Sequence, residues 1–549
     1  MKRLIYIFPL LLLFASCIED KSQYEYRTTN KVTFQDMVSG YEWTAGEEVE
    51  LVAPISFSIP FENEDDIDAT FEITWFANGE PIASGYRTKY VVSQTGSFSI
   101  VLKVVHRETG ETYISDVYRS TAKSSFGWGW IVLSERDEES SSLSFISPVA
   151  LFAQHELEDM IDGGLGSGPK SLHRYYVLYS IPDVYISGLS KLIVNQKSGT
   201  VTLDGDNFMK DKWMRDEFAS GTEPEEDFTM TGFAWKGKFY LIATEEGNVY
   251  LRCMSHENEG IPYYGTYSST PYAFEGGARI TCFNGFQNVT YNVPDDEIAL
   301  MFDEQNSRFL AFISGGYGDT YDAYAPKVVY LDYYDQNGSF DAGVPPVNSL
   351  GNGTRCLAIG AYEHSGTTAS GGFHIYPEYV SLLDLGGSGN VQLYRFTVDP
   401  ISANNHVITE NTMVPFSGAS LLSPKSVIQM STDFVKNPFF YFTDGDRKLY
   451  VYSMETGSHV LAYEASSKIT GLCPSPLACP FSSYGANSTA PNFRLAVAQE
   501  GGTVSVLDVA ESKMVRLFEG TAPDLELKTI SGFGDIKDMI WATNYQGEF

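Results

Sequence analysis

"FFYFTDGDRKLYVYSM", Phe439–Met454, is an apolar strand, a short polar turn containing glycine, and a second, alternating strand. The same pattern recurs in "FYLIATEEGNVYLRCM" (Phe239–Met254) and "RLAVAQEGGTVSVLDV" (Arg494–Val509). "GWGWIVLSERDEESSSLSFISP" (Gly127–Pro148) is a version with a longer tip, whose "DEESSS" reads as solvated because charged and serine residues fill the stretch between Leu133 and Leu143. Looser copies are "VLYSIPDVYISGLSKLIVN", "LMFDEQNSRFLAFIS" and "FHIYPEYVSLLDLGGSGNVQLYRF". Together they make about seven units at intervals of roughly 30–75 residues.

A hairpin of this kind cannot bury both faces alone. Placed radially, each small sheet packs on its neighbours and leaves only short edges, which is a β-propeller. A row of separate sandwich domains would need a boundary about every hundred residues, and no linker follows Ala122. The C-terminal "ISGFGDIKDMIWATNYQGEF" has strand character without a full blade. It is expected to join the strands that begin after Ser124 and so close the ring.

Before that point the chain reads differently. "FEITWFANGEPIA" places Phe71, Ile73 and Trp75 on one side and turns at Asn78-Gly79, a strong hairpin signal. "GSFSIVLKVVHRETGETYISDVY" puts Phe98, Ile100, Leu102 and Val104 on one face and turns near Thr109-Gly110. Residues 31–123 are therefore expected to form one β-sandwich and residues 124–549 the propeller, an all-β chain. Composition agrees: 14% aromatic, with 49 glycines and 24 prolines, favours sheets joined by turns. The most helix-like stretches, near Phe152–Ile161 and Phe208–Phe218, are short. Trp75, Trp130 and Trp235 read as core residues, and Trp213 as packing a short helix.

"MKRLIYIFPLLLLFASC" opens with Lys2 and Arg3, continues with an apolar run too short to span a bilayer, and ends on Ala15 and Ser16 before Cys17. Residues 1–16 read as a leader, and residues 17–30 as a polar tether reaching roughly 45 Å when extended. Among the later cysteines, Cys473 and Cys479 are close enough in sequence to close a small loop as a disulfide. Cys253, Cys282 and Cys356 read as single buried thiols on strands. No spacing suits a structural zinc.

The formal charge of −33 sets the chain against phosphate backbones, so nucleic acid is not an expected partner. "DGDNFMKD" (Asp204–Asp211) and "DYYDQNGSFD" (Asp332–Asp341) carry Asp and Asn at short spacing, but neither completes a calcium loop. HExxH and GxSxG are both missing from the sequence. No catalytic residue, metal or cofactor is therefore assigned. Paired carboxylates from different blades leave a surface glycoside hydrolase or lyase open as a second reading, and an adhesion or scaffold protein as a third. Binding has better candidates: Tyr263, Tyr264, Tyr267, Tyr317, Tyr321 and Tyr324 lie among Gly, Ser and Thr, where a ring and a hydroxyl suit sugar faces or peptide side chains.

The cysteine after small residues resembles a bacterial lipobox, with Phe14 in place of the usual leucine. The acidic "IEDKSQYEY" that follows resembles the surface-export signal of Bacteroidetes lipoproteins. With the "ITWFANGE" and "TGSFSIVLKV" strands and the "GWGWIVLSERDEESSSLSFISP" hairpin, the first 150 residues or so resemble the PKD-like family of Bacteroidetes lipoproteins. That resemblance implies a PKD/immunoglobulin-like sandwich and lipidation at Cys17. It further implies an accessory role, on the outer face of the outer membrane, to SusC/SusD-like uptake systems for glycan or oligopeptide. It supplies no catalytic residues.

Overall fold

The structure is a computed structural model. It describes residues 29–543 except 36–39, 45–47, 93–95, 124–125, 127, 149–150, 162, 182–183, 206, 237–238, 254–264, 284–297, 314–326, 334–342, 368–372, 400–406, 431–438 and 476–493. Contacts divide the chain into two compact units, Met1–Lys123 and Ser124–Phe549.

In the first unit Phe71–Ala77 and Gly96–His106 are antiparallel neighbours in a six-stranded sheet. The Asn78-Gly79 turn has positive φ at both residues (49° and 89°), as a tight two-residue hairpin requires. Two short ladders, Val32–Phe34 with Ile55–Phe57 and Glu48–Val52 with Arg87–Val91, contribute to the same core. Phe71, Ile73 and Trp75 meet Ile100, Leu102 and Val104 there, all at or near zero exposure, and the Trp75 indole donates to the Gly85 carbonyl at 3.1 Å. Asn30, assigned above to the tether, is already part of this fold: its side chain donates to the Ile59 carbonyl and accepts from the Ile59 N–H, both at 2.7 Å.

The second unit holds seven sheets among the described residues. Six contain the hairpin units named above, and one contains the opening hairpin, Trp128–Glu135 with Ser141–Ile146. The strand Asp535–Thr543 pairs antiparallel with Trp128–Glu135, so the last strand of the chain completes the first sheet.

Each sheet buries both faces, and alternation decides which neighbour each side chain meets. From the first sheet, Ile131 and Leu133 pack with Leu192 and Val194 of the second, while Trp130 and Val132 pack with Ala496 and Ala498 of the seventh. Ile193 of the second meets Tyr240 and Ile242 of the third; Leu241 and Ala243 of the third meet Leu310 and Phe312 of the fourth. Phe302 and Phe309 pack with Tyr379 and Phe396 of the fifth sheet, whose Val380 and Leu382 meet Phe440 and Phe442 of the sixth. Phe439 and Tyr441 meet Leu495 and Val497 of the seventh. The clusters thus run from sheet to sheet and return to the first, a propeller-like arrangement. Burying a Leu, Val or Phe side chain in such a seam contributes about 1.5–3 kcal/mol.

The opening hairpin departs from its sequence reading. Its strands extend through the polar residues, pairing Ser134 with Ser142 and Glu135 with Ser141, so the tip shrinks to Arg136–Ser140. Ser134, Ser141 and Ser142 are buried. The backbone loop at Gly166 accepts the Ser141 N–H, and the Glu158 carboxylate accepts the Leu143 N–H at 2.9 Å, so neighbouring chain covers Ser141 and Ser142, while Asp137, Glu139 and Ser140 are exposed as composition marked them. Gly129, in "GWGW", is required by space: a Cβ there would lie 2.3 Å from the Ile146 carbonyl oxygen.

The short helical stretches are single 3-10 turns, Leu157–Met160 and Met214–Glu217. Trp75 and Trp130 are fully buried; Trp213 is half-buried against the seam between the first two sheets, under the Lys210 ammonium at 3.7 Å. The Trp235 side chain lies outside the described residues.

Candidate functional site

Of the six tyrosines singled out as ligand-binding candidates, Tyr263, Tyr264, Tyr317, Tyr321 and Tyr324 lie outside the described residues, as do Cys17 and Cys479. Tyr267 is a correction. It is 1% exposed and cannot present its ring to a ligand. Among the described residues the third sheet has three strands, and the segment from Tyr267 to Tyr272 lies along the edge at Val249–Cys253. Ser268 N–H donates to the Leu251 carbonyl at 2.8 Å, and Tyr272 N–H to that of Val249 at 2.7 Å. The Gly- and Ser-rich composition reads as loop, but the backbone of the segment satisfies a sheet edge and carries Tyr267 into the core.

Tyr267 joins a buried polar cluster with Tyr175, Tyr240, Glu217 and Arg252. Glu217 and Arg252 pair at 2.6 Å with side chains 1% and 8% exposed, and Lys212 lies 3.4 Å from the other Glu217 oxygen. The guanidinium sits over the rings of Tyr240 and Tyr267 at 5.7 and 5.6 Å. Burial pushes the Tyr267 hydroxyl far up, with Glu217 adding to the effect, so the phenol stays neutral. Burial opposes the charge on Arg252, but Glu217 and the tyrosines outweigh it. The enclosed pair, with aromatic walls, joins the turn that follows the second sheet to the edge strand Val249–Cys253 of the third.

A concave surface is found in the first unit. Phe57, Phe61, Ile67 and Tyr86 wall a cleft of about 380 Å³, with Glu62 and Glu64 at its rim. Phe57 and Phe61 meet edge to face, centroids 4.9 Å apart. The helix Glu64–Thr70 fixes the cleft: Asp68 accepts the Tyr86 N–H at 2.8 Å, and Arg87 grips Glu64 with two bonds at 2.8 and 3.0 Å. That grip holds the exposed Glu64 carboxyl below its usual range. Ring faces beside carboxylate acceptors suit a ligand with an apolar face and hydroxyl or cationic donors.

Two titratable groups lie on strands that meet at the seam of the first and second sheets. Asp538 accepts N–H bonds from Leu172 and Met539, both at 2.8 Å, yet burial raises its carboxyl to about 6. Burial lowers His173 to about 4; its Nε2 is 3.1 Å from the Ser171 hydroxyl. Neither group was visible in the sequence, where Asp and Glu total 70. In the Asp204–Asp211 stretch, Asp204 accepts the Asn207 N–H at 3.1 Å and Asp211 pairs with Lys191 at 3.0 Å. No three His, Cys, Asp or Glu side chains among the described residues are grouped to hold a metal ion. Most of Asp332–Asp341 lies outside the described residues. Cys473 carries a free, buried thiol, which burial raises well above its usual range.

No helix among the described residues is long and apolar enough to cross a membrane. Neither a known family nor a curated protein matches the chain. Among solved structures, a quinoprotein alcohol dehydrogenase-like protein from Bacteroides thetaiotaomicron is similar at 11% identity and TM-score 0.35, over 93% of this chain and 95% of that one. The dihydro-heme d1 dehydrogenase NirN is similar at 9% identity and TM-score 0.30, over 89% and 83%. The computationally designed Ika8 protein is similar at 8% identity and TM-score 0.32, over 77% and 96%. Likeness at these scores bears on neither activity nor partners, and the fold rests on the sheet order and seams described above.

Proposed function

We propose that this chain is a surface lipoprotein anchored through Cys17, a non-catalytic accessory subunit of a SusC/SusD-like outer-membrane uptake system. Its first unit is a PKD-like sandwich and its second a seven-bladed propeller. The observation that carries this reading is the order of parts: a leader ending in Ala-Ser-Cys, a polar acidic stretch, then a folded body that begins by Asn30. A rigid ring of sheets buried on both faces is a platform, and the Phe57–Phe61–Tyr86 cleft offers one place for a glycan or oligopeptide. The acidity of the chain suits a body held near an exposed surface without attracting nucleic acid.

The test is affinity isolation of the tagged full chain from outer membranes. Co-isolation of a SusC/SusD-like pair is the expected result, with palmitate label on the native protein and none on Cys17→Ala. Isolation free of any transporter subunit counts against the accessory role, and an unlabelled native chain counts against the anchor.

A further inference from the structure

We propose that Cys282 and Cys356 are a disulfide-forming modification site that links the fourth and fifth sheets of the second unit. Cys282 lies on Ile280–Phe283 and Cys356 on Arg355–Thr367, the edge strands by which these two sheets meet. Both side chains pack against the same apolar cluster, beside Phe302, Phe309, Tyr379 and Leu383. Each sulfur also reaches a carbonyl of its own strand, Cys282 Sγ that of Phe283 at 3.9 Å and Cys356 Sγ that of Ala358 at 3.5 Å. The two strands are in contact along the seam, and both thiols lie in it. Both are partly exposed, so a small reagent can reach them, whereas Cys473 is buried in the seam between the first and seventh sheets. Side chains that enter one seam from two touching strands can bond when their Cα atoms lie within about 7 Å, a separation that the strand contact allows.

The chemistry balances with a small disulfide as oxidant, such as oxidised glutathione. Burial raises the Cys356 thiol, so the sulfur of Cys282 gives its proton to solvent, attacks the reagent and releases one of its thiols. Cys356 then gives up its proton and displaces the second thiol from the mixed disulfide. Two protein thiols are oxidised and one reagent disulfide is reduced to two thiols. The bond closes a loop of about 75 residues and acts chiefly on the unfolded chain. The inference rests on the seam and is independent of the anchored reading.

The full-length protein is reduced, exposed to oxidised glutathione near pH 8, blocked with an alkylating agent, and digested with trypsin without reduction. Trypsin cuts after Arg279, Arg308, Arg355 and Arg395, so the expected product joins Ile280–Arg308 to Cys356–Arg395. A rise in the unfolding midpoint on the order of 5 °C, reversed by dithiothreitol, accompanies it. Cys282→Ser and Cys356→Ser each abolish both effects. The linked peptide of the native chain decides the matter even where a variant folds poorly. Recovery of both peptides alkylated, or of either joined to a different cysteine, overturns the proposal.

Discussion

Trp130 stands where the ring closes, and substituting it measures the closure. Its side chain has no solvent exposure, and its indole donates to the Cys473 carbonyl of the seventh sheet at 3.0 Å. It also sits opposite Trp541 on the closing strand, rings edge to face with centroids 4.9 Å apart. Trp130→Phe keeps most of the buried area but removes that hydrogen bond, a loss of about 0.5–1.5 kcal/mol. Trp130→Ala adds a cavity between two sheets, for a loss of about 4–6 kcal/mol in all. A double-mutant cycle with Trp541→Ala should return a coupling of about 0.5–1.5 kcal/mol, the value of a close aromatic pair beyond area burial. Urea unfolding followed by circular dichroism reads these from midpoint shifts at constant slope. A Trp130→Ala loss under about 1 kcal/mol, or additive singles, would refute the packing of this residue between the first and last sheets.

Three further outcomes follow from buried charge. Glu217→Gln leaves Arg252 enclosed without its counter-charge and should destabilise by about 3–5 kcal/mol, whereas Glu217→Leu with Arg252→Met should be far milder; equal losses in urea unfolding would contradict the pairing. His173 is lowered by burial from 6.5 to about 4, so the stability it contributes is complete above pH 6.5 and is lost as pH falls toward 4, by up to about 3 kcal/mol. His173→Gln should therefore gain on the native protein as pH falls across that window, measured as the difference between two pH–stability curves. Asp538 is raised from 3.8 to about 6, so its contribution is complete below pH 3.8 and is lost as pH rises to 6; Asp538→Asn should gain on the native protein in the opposite direction. A pair of difference curves sloping the same way would show that one of the two groups is misplaced.

The hairpins were legible because their physics is local. In "FFYF" every residue is apolar, and the structure shows why: Phe439 and Tyr441 serve one seam while Phe440 and Phe442 serve the other. The strand at Asp535–Thr543 was legible for a related reason, since a lone strand must find a sheet. What failed was exposure. Ser141 and Ser142 looked like part of a wet tip, but covering by a distant segment is a tertiary event that composition does not encode. Tyr267 failed in the same way, because nothing local shows that its segment bonds to the edge strand Val249–Cys253 of the third sheet. The meeting of Cys282 with Cys356, and of Asp538 with the backbone of Leu172, exists only once successive sheets are packed together.

Joining the first sheet of the second unit to the end of the chain tests the closed ring most directly. Glu135 and Asp535 are register partners, with side chains 28% and 60% exposed. Cβ atoms of such partners lie about 4.5–5.5 Å apart, so cysteines there can bond with little distortion. Glu135→Cys with Asp535→Cys, oxidised in the folded full-length protein, should yield a peptide linking positions 135 and 535 in high proportion. Both new cysteines fully alkylated in the native state, with no link between them, would mean that the last strand does not complete the first sheet.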